Sequence, residues 1–247
     1  MKSNPFRKKT KQLSVFTTAG YPKLDSLKGQ INTFEKYNID FIEVGIPFSD
    51  PIADGPVIQN TSSIAIKNGM NLNIIFKQLK EIRTSIPIVL MGYLNPVMNF
   101  GIENFLKQCA ECNIASVILP DLSLEIYQRD YQLLFEEYNL SPVFLITPKT
   151  DENRILKIAQ LCKNSFVYLV SDNATTGKTM NPISKRAESF KRIKELCSET
   201  PLMVGFGIKS KDDVEQIQKV VDGAIIGSAY LKTVGTNTEE QFLQGLF

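Results

Sequence analysis

The chain has 247 residues, of which 43% are hydrophobic and 22% are charged, and its formal net charge is +2. This length allows a large core, and the weak net charge favours neither nucleic acid nor an acidic membrane as a partner. The sequence contains no histidine, which excludes histidine bases, histidine metal ligands and a Ser-His-Asp triad. Acid–base chemistry near neutral pH is therefore left to carboxylates, lysine, tyrosine or cysteine.

The N-terminal segment carries a basic cluster, formed by Lys2, Arg7, Lys8, Lys9 and Lys11. No apolar run follows it as in a secretory signal, and no stretch of the sequence is apolar for the length of a membrane span. We therefore expect a cytoplasmic protein with a short, solvated, basic N-terminal arm.

Two of the four cysteines, Cys109 and Cys112, form a C-x-x-C motif at the end of a predicted helix. A metal or redox pair would normally have a second cysteine pair, nearby histidines or a helix N-terminus beside it. The motif therefore favours helix packing, and we predict no metal site.

Short β-rich runs alternate with longer amphipathic runs along the whole chain. The predicted strands are 13–18, 41–46, 87–91, 115–119, 143–147, 166–170, 202–205 and 223–226. The predicted helices are 25–36, 62–68, 72–82, 102–112, 124–138, 152–162, 184–197, 212–219 and a short helix from 239.

Eight strand–helix units in about 250 residues, without a linker, predict an α/β fold with parallel strands. This count is typical of a (β/α)₈ TIM barrel, here one domain over residues 1–247. An open doubly wound sheet is the alternative. It fits less well because the first turn lacks a G-x-G-x-x-G fingerprint.

In such a barrel, function lies at the carboxyl ends of the strands. Glycines follow the last two predicted strands, in Gly205-Phe206-Gly207 and in Gly227-Ser228. Glycine lets backbone N–H groups approach an anion closely, and these two loops bind phosphate in many barrels. We predict a phosphate site there, with tight turns as the alternative interpretation.

The loop after the sixth predicted strand, residues 171–178, is long and polar. Such a loop can close over a substrate and exclude water. A mobile surface connection is the alternative, and composition does not choose between them.

The predicted strand 41–46 is apolar except for Glu43, and the loop after it carries Asp50 and Asp54. Alternation points Glu43 into the barrel, where the strand cores offer no basic partner. We infer that Glu43 serves acid–base chemistry with one of the two aspartates. Spacing alone does not choose between Asp50 and Asp54, because one of them could cap the next helix.

A phosphate-binding barrel with carboxylates could isomerise or cleave a sugar phosphate. Carbon–carbon cleavage needs an electron sink, and the strands contain no Schiff-base lysine and the chain no histidine for a metal. The sink would therefore lie in the substrate. An indole ring meets this need, since protonation of its C3 gives a cation that accepts the bond electrons.

The segment 43–59 reads E-V-G-I-P-F-S-D-P-I-A-D-G-P-V-I-Q. With 16–22, 90–96, Pro120-Asp121, 204–208 and 226–229, it resembles the tryptophan synthase alpha subunit family over nearly the whole chain. That family cleaves indole-3-glycerol phosphate to indole and glyceraldehyde 3-phosphate. The resemblance implies that Glu43 is the acid–base group at the indole C3 and the glycerol hydroxyl. It also implies that Asp54 stabilises charge at the indole N–H.

The resemblance also implies the binding residues. Those that line or close the indole pocket would be Phe16, Tyr93, Tyr168 and Thr176. Those that bind phosphate would be Gly177, Phe206, Gly207, Gly227 and Ser228.

The same resemblance implies a partner, because the family works as an α₂β₂ heterotetramer in which indole passes to the beta subunit. Pyridoxal phosphate would belong to that beta subunit, and no cofactor is implied for this chain. The loop after the second strand and residues 95–99 match the docking face.

One departure from the family pattern lies in loop 171–177, where Ala174 and Thr175 replace a glycine and a valine. It raises the alternative of a weakly catalytic subunit that mainly activates the beta subunit. Retention of both Glu43 and Asp54 argues against that alternative. A different phosphate-binding barrel, such as an isomerase or an indole-3-glycerol phosphate synthase, is the third hypothesis. The synthase would need a catalytic lysine at a strand end.

Overall fold

The computed structural model describes residues 4–7, 11–170 and 183–247. Its strands form one parallel sheet with the order β5-β4-β3-β2-β1-β9-β8-β7-β6. They are β1 Gln12–Thr18, β2 Phe41–Gly45, β3 Ile88–Met91, β4 Ser116–Ile118, β5 Pro142–Val143, β6 Leu145–Ile146, β7 Val167–Val170, β8 Leu202–Gly205 and β9 Gly223–Ile226.

The sheet closes on itself through the short strands β5 and β6. They are two pieces of the predicted strand 143–147, separated by Phe144. β5 pairs with β4 and β6 pairs with β7, and the Phe144 carbonyl accepts a hydrogen bond from the Tyr168 N–H at 3.0 Å. The predicted barrel is confirmed, whereas the prediction of an unbroken fifth strand was wrong.

Helices follow the strands around the outside of the barrel. They are α1 Ser26–Lys36, α2 Pro56–Lys67, α3 Leu72–Glu81, α4 Leu94–Phe100, α5 Ile102–Glu111, α6 Leu124–Ile126, α7 Gln132–Glu137, α8 Glu152–Leu161, α9 Ile183–Leu196, α10 Lys211–Ile217, α11 Ser228–Leu231 and α12 Glu239–Gln244. A 3₁₀ turn spans Pro5–Arg7, and a π-helical turn over Tyr127–Tyr131 joins α6 to α7.

Two helix starts differ from the sequence-based expectation. The helix predicted from residue 62 begins at Pro56, because proline fits the first helical position, where its missing N–H costs nothing. The segment after β3, where no helix was predicted, contains α4. The Leu94 N–H at its start donates to both carboxylate oxygens of Asp121, at 2.9 and 3.0 Å.

An aromatic cluster closes the amino-terminal end of the barrel. Phe6 is 1% exposed, and its ring lies 5.2 Å from Phe41 and 5.0 Å from Phe166 in edge-on contacts. Arg7 beside it donates a hydrogen bond to the Glu199 carbonyl. The described part of the N-terminal arm, expected to be solvated, therefore anchors to the barrel because Phe6 is buried in the core.

The cysteines are packing residues in the described structure. Cys109, Cys162 and Cys197 are buried, Cys112 is half-buried, and all four thiols are free. Burial raises the pKa of Cys109 well above its usual range. In residues 4–7, 11–170 and 183–247, no cluster of acidic, cysteine or histidine side chains could hold a metal ion. Across the same ranges no helix is long and apolar enough to cross a membrane.

Candidate active site

A cavity of about 280 Å³ opens at the carboxyl ends of the strands. Its polar side combines Glu43 from β2 with Asp54 from the following loop. Its apolar wall is formed by Phe16, Ile58, Met91, Tyr168, Phe206, Ile208 and Ile225. The loops after β8 and β9 complete it with Gly207, Lys209, Gly227, Ser228, Ala229 and Lys232.

Glu43 lies in the middle of β2, between Phe16 of β1 and Val89 of β3 in the strand register. It is 1% exposed. Neither of its carboxyl oxygens has a hydrogen-bond partner among the residues that the structure describes. Burial raises the pKa of Glu43 from 4.5 to about 8. In the empty cavity near neutral pH, Glu43 is therefore mostly a neutral acid.

Asp54 is held at the edge of the same cavity by a tight turn. Its N–H donates to the Pro51 carbonyl at 3.0 Å, and its Oδ2 accepts a hydrogen bond from the Tyr93 hydroxyl at 3.0 Å. Burial raises the pKa of Asp54 to about 6, although the Tyr93 hydrogen bond acts in the opposite direction. Asp54 is therefore mostly ionised at neutral pH.

The structure distinguishes the two aspartates that spacing could not separate. Asp50 is exposed and accepts a hydrogen bond from the neighbouring Ser49 hydroxyl at 2.5 Å. Asp54 lines the cavity. Two carboxyl groups in one cavity thus take opposite protonation states between about pH 6 and pH 8, as acid–base work requires.

Tyr93 lies one layer behind the cavity wall and reaches it through Asp54. Its hydroxyl oxygen also accepts a hydrogen bond from the Ala53 N–H at 3.0 Å, and its ring centroid is 5.3 Å from that of Phe48. The structure therefore gives Tyr93 the position of a residue that orients Asp54.

Two glycines allow the aromatic rings of the cavity to lie close to the barrel strands. A Cβ on Gly205 would lie 1.9 Å from the Tyr168 hydroxyl oxygen, and one on Gly45 would lie 2.4 Å from Cζ of Phe16. Tyr168 is buried, and its burial together with the nearby Glu43 and Asp54 carboxylates raises its pKa well above the usual range. Tyr168 is thus an uncharged part of the cavity wall, close to both carboxyl groups.

The loop after β8 has an unusual backbone at the predicted phosphate residues. Phe206 and Gly207 both have positive φ, 69° and 81°. For a bulky residue such as Phe206, this conformation is strained and is typical of functional sites. Gly227 and Ser228 lie at the junction of β9 and α11. The predicted Thr176 and Gly177 lie outside the described residues.

Several cavity residues were missed from the sequence. Ile58 was missed because α2 begins earlier than predicted, and its exposure to the cavity depends on that helical turn. Lys209 and Lys232 were missed because the predicted phosphate site rested on the backbone of the glycine-containing turns alone. Their spacing was a usable signal, since Lys209 follows Gly207 by two residues and Lys232 follows Ser228 by one helical turn.

Glu43 is buried without a hydrogen-bond partner among the described residues, so we expect the stability of the fold to change with pH. Between pH 4.5 and about 8 the folded chain retains a proton at Glu43 that the unfolded chain has lost, so stability falls as pH rises. Glu43→Gln removes this loss. We expect the difference in free energy of unfolding between the variant and the wild type to favour the variant more at pH 8 than at pH 5. The change between the two pH values should be a few kcal/mol, since one pKa unit corresponds to about 1.4 kcal/mol.

Urea unfolding at both pH values measures this difference. Glu81→Gln, at an exposed site on α3, is the matched control and should show no such pH-dependent gain. Equal effects of Glu43→Gln at pH 5 and pH 8 would mean that the Glu43 pKa is unshifted.

Comparisons with known proteins agree with this architecture. The family model described as tryptophan synthase alpha chain matches residues 3–245. The tryptophan synthase alpha chain of Christiangramia forsetii is 45% identical over 92% of this chain and 89% of its own length. That of Bacteroides thetaiotaomicron is 47% identical over 89% and 86%.

Solved structures give the same result. The tryptophan synthase alpha subunit of Pyrococcus furiosus superimposes with a TM-score of 0.85 at 32% identity, covering 96% of this chain and 98% of that one. The alpha subunit from Campylobacter jejuni gives 0.84 at 30% identity, covering 98% and 97%.

Proposed function

The chain belongs to the tryptophan synthase alpha chain family, and on that premise we propose that Glu43 and Asp54 divide the acid–base work of its reaction. The family's reaction is the carbon–carbon cleavage of indole-3-glycerol phosphate to indole and glyceraldehyde 3-phosphate. The observation that supports this division is that both carboxyl groups line one cavity, where burial raises the pKa of Glu43 to about 8 and that of Asp54 to about 6.

The first step creates the electron sink. Glu43, neutral in the empty cavity, donates its proton to C3 of the indole ring. The ring becomes an indolenine cation whose positive charge is shared with the ring nitrogen. The Asp54 carboxylate accepts a hydrogen bond from that N–H and stabilises the charge, while the Tyr93 hydroxyl holds Asp54 in place.

The second step breaks the carbon–carbon bond. Glu43, now a carboxylate, removes the proton from the hydroxyl on the glycerol carbon next to the ring. The oxygen of that hydroxyl forms a carbonyl, and the electrons of the C–C bond return to the ring as indole leaves. Glu43 ends the cycle protonated, so one residue serves first as acid and then as base.

The apolar wall suits the flat indole ring, with Phe16 and Tyr168 as its aromatic members. The phosphate would lie against Phe206, Gly207, Gly227 and Ser228, whose backbone can approach it closely. Thr176 and Gly177 remain predictions for closure of the pocket and for phosphate contact. No cofactor takes part in the alpha chain of this family.

The family pairs with a beta subunit, which carries pyridoxal phosphate. We propose that this chain forms the α₂β₂ heterotetramer, docking through the loop after β2 and residues 95–99. Exposed apolar side chains support this surface, since Ile52 is 86% exposed and Met98 is 48% exposed. We also propose a cytoplasmic protein with one domain over residues 1–247.

Indole release from indole-3-glycerol phosphate, with and without a cognate beta subunit, tests this function. We expect release by the chain alone and many-fold acceleration by the beta subunit. Release that the partner leaves unchanged would contradict the docking proposal. If the folded chain releases no indole but still speeds the beta reaction, the activating-subunit alternative would replace the proposal.

Gly205→Ala is expected to lower kcat/KM for indole release by about 10- to 100-fold, since a displacement near 1 Å can cost that much. The new Cβ would lie 1.9 Å from the Tyr168 hydroxyl oxygen, so the ring, which lines the cavity, must shift from its position. Steady-state kinetics measures the loss. Gly29→Ala is the matched control, because its Cβ would meet nothing within 4 Å. Unchanged kinetics for Gly205→Ala would show that Tyr168 does not shape the substrate pocket.

A further inference from the structure

We propose that Lys209 and Lys232 form a cationic pair that selects substrates bearing a dianionic phosphate monoester. Both line the cavity together with Gly207, Gly227 and Ser228. The proposal rests on the proposed function and adds two residues that determine substrate specificity at the phosphate end of the cavity. Contacts from glycine and serine alone would provide N–H and O–H hydrogen-bond donors to that phosphate. They would not provide a full positive charge.

The loop after β8 leaves the Lys209 ammonium available to a ligand. The Asp213 carboxylate accepts a hydrogen bond from the Lys209 backbone N–H at 2.9 Å. The Lys209 side chain itself has no ion pair or hydrogen bond within the described ranges. Lys211, two residues further on, instead donates to the Phe247 carbonyl. Lys209 in the loop and Lys211 at the start of α10 thus make different contacts.

Lys232 is placed by the short helix α11. Its N–H donates to the Ser228 carbonyl at 3.3 Å, so Lys232 stands one helical turn beyond Ser228 on the same face. It too has no ion pair among residues 4–7, 11–170 and 183–247. Lys36, Lys80 and Lys194, by contrast, pair with carboxylates at 3.0, 2.8 and 2.6 Å.

Charge within the cavity is divided between its sides. Asp54 contributes negative charge on the β2 side, and the two lysines contribute positive charge at the loops after β8 and β9. A phosphate monoester carries about −1.5 to −2 charges at pH 7, because its second pKa lies near 6. The division therefore orients the substrate, with its phosphate at the lysines and its neutral ring at the carboxyl groups.

The test compares Lys209→Met, Lys232→Met and the double variant with the wild type. We expect each single change to raise KM for indole-3-glycerol phosphate about three- to tenfold and the double change more, with kcat within about twofold. Unphosphorylated indole glycerol should be cleaved equally by all four proteins. The salt dependence of KM should weaken in the double variant. Lys211→Met is the matched control and should match the wild type.

Inorganic phosphate binding, measured by calorimetry, gives a readout that does not depend on turnover. We expect weaker binding to each lysine variant and unchanged binding to Lys211→Met. If phosphate affinity and KM are unchanged in the double variant at low salt, the lysine pair is refuted. Likewise, equal losses for indole glycerol and its phosphate would refute a phosphate-directed role. A wild type that binds phosphate through these lysines yet releases no indole would refute the proposed reaction alone.

Discussion

Glu43→Gln is expected to lower kcat for indole release by about 10³-fold or more, within the range of positioned acid–base catalysis. Glutamine can neither protonate the indole C3 nor remove the hydroxyl proton, so both steps lose their catalyst. Single-turnover indole release, with the beta subunit present, measures the chemical step. A residual kcat above about a tenth of the wild-type value would contradict the assignment.

Substrate binding serves as the control for this variant. Glu43 is mostly protonated in the empty cavity, so glutamine keeps both its charge and nearly its shape. We expect the dissociation constant for indole-3-glycerol phosphate to change by less than about threefold. The catalytic loss would then belong to the transition state rather than to binding.

Asp54→Asn is expected to lower kcat/KM by about 10²- to 10³-fold, the usual effect of removing one preorganised group at a developing charge. Asparagine can still accept the Tyr93 hydrogen bond, so the turn should persist. What it lacks is the negative charge opposite the indole N–H. Steady-state kinetics with indole-3-glycerol phosphate measures the loss.

Asp50→Asn is the matched control for Asp54→Asn. Asp50 lies on the same loop but is exposed, so we expect nearly unchanged cleavage. A large loss from Asp50→Asn with little effect of Asp54→Asn would reverse the assignment of the two aspartates.

The barrel and its buried acid were predictable from the sequence. Alternating short and long periodic segments specify parallel strands and outer helices, and the comparisons confirm the fold. Glu43 was recognisable because an unpaired carboxylate in an apolar strand has a high desolvation cost. The family resemblance was confirmed by the same comparisons.

Other features depend on contacts that a local pattern does not contain. The choice between Asp50 and Asp54 follows from the Tyr93 hydroxyl, which comes from the turn after a different strand. The break in the fifth strand at Phe144 arises from barrel closure, which requires pairing with two neighbours. The spacing of residues along the sequence does not contain either of these long-range constraints.

The pH dependence of kcat/KM for indole release tests the central claim most directly, because it reports the ionisation of the free enzyme. We expect a bell-shaped profile in which Asp54 must be ionised and Glu43 protonated, with limbs near pH 6 and pH 8. The basic limb is decisive, since the substrate phosphate also titrates near pH 6. A fall in rate above about pH 8 would support Glu43 as the initial acid. A rate that stays constant or rises through pH 9 would contradict it.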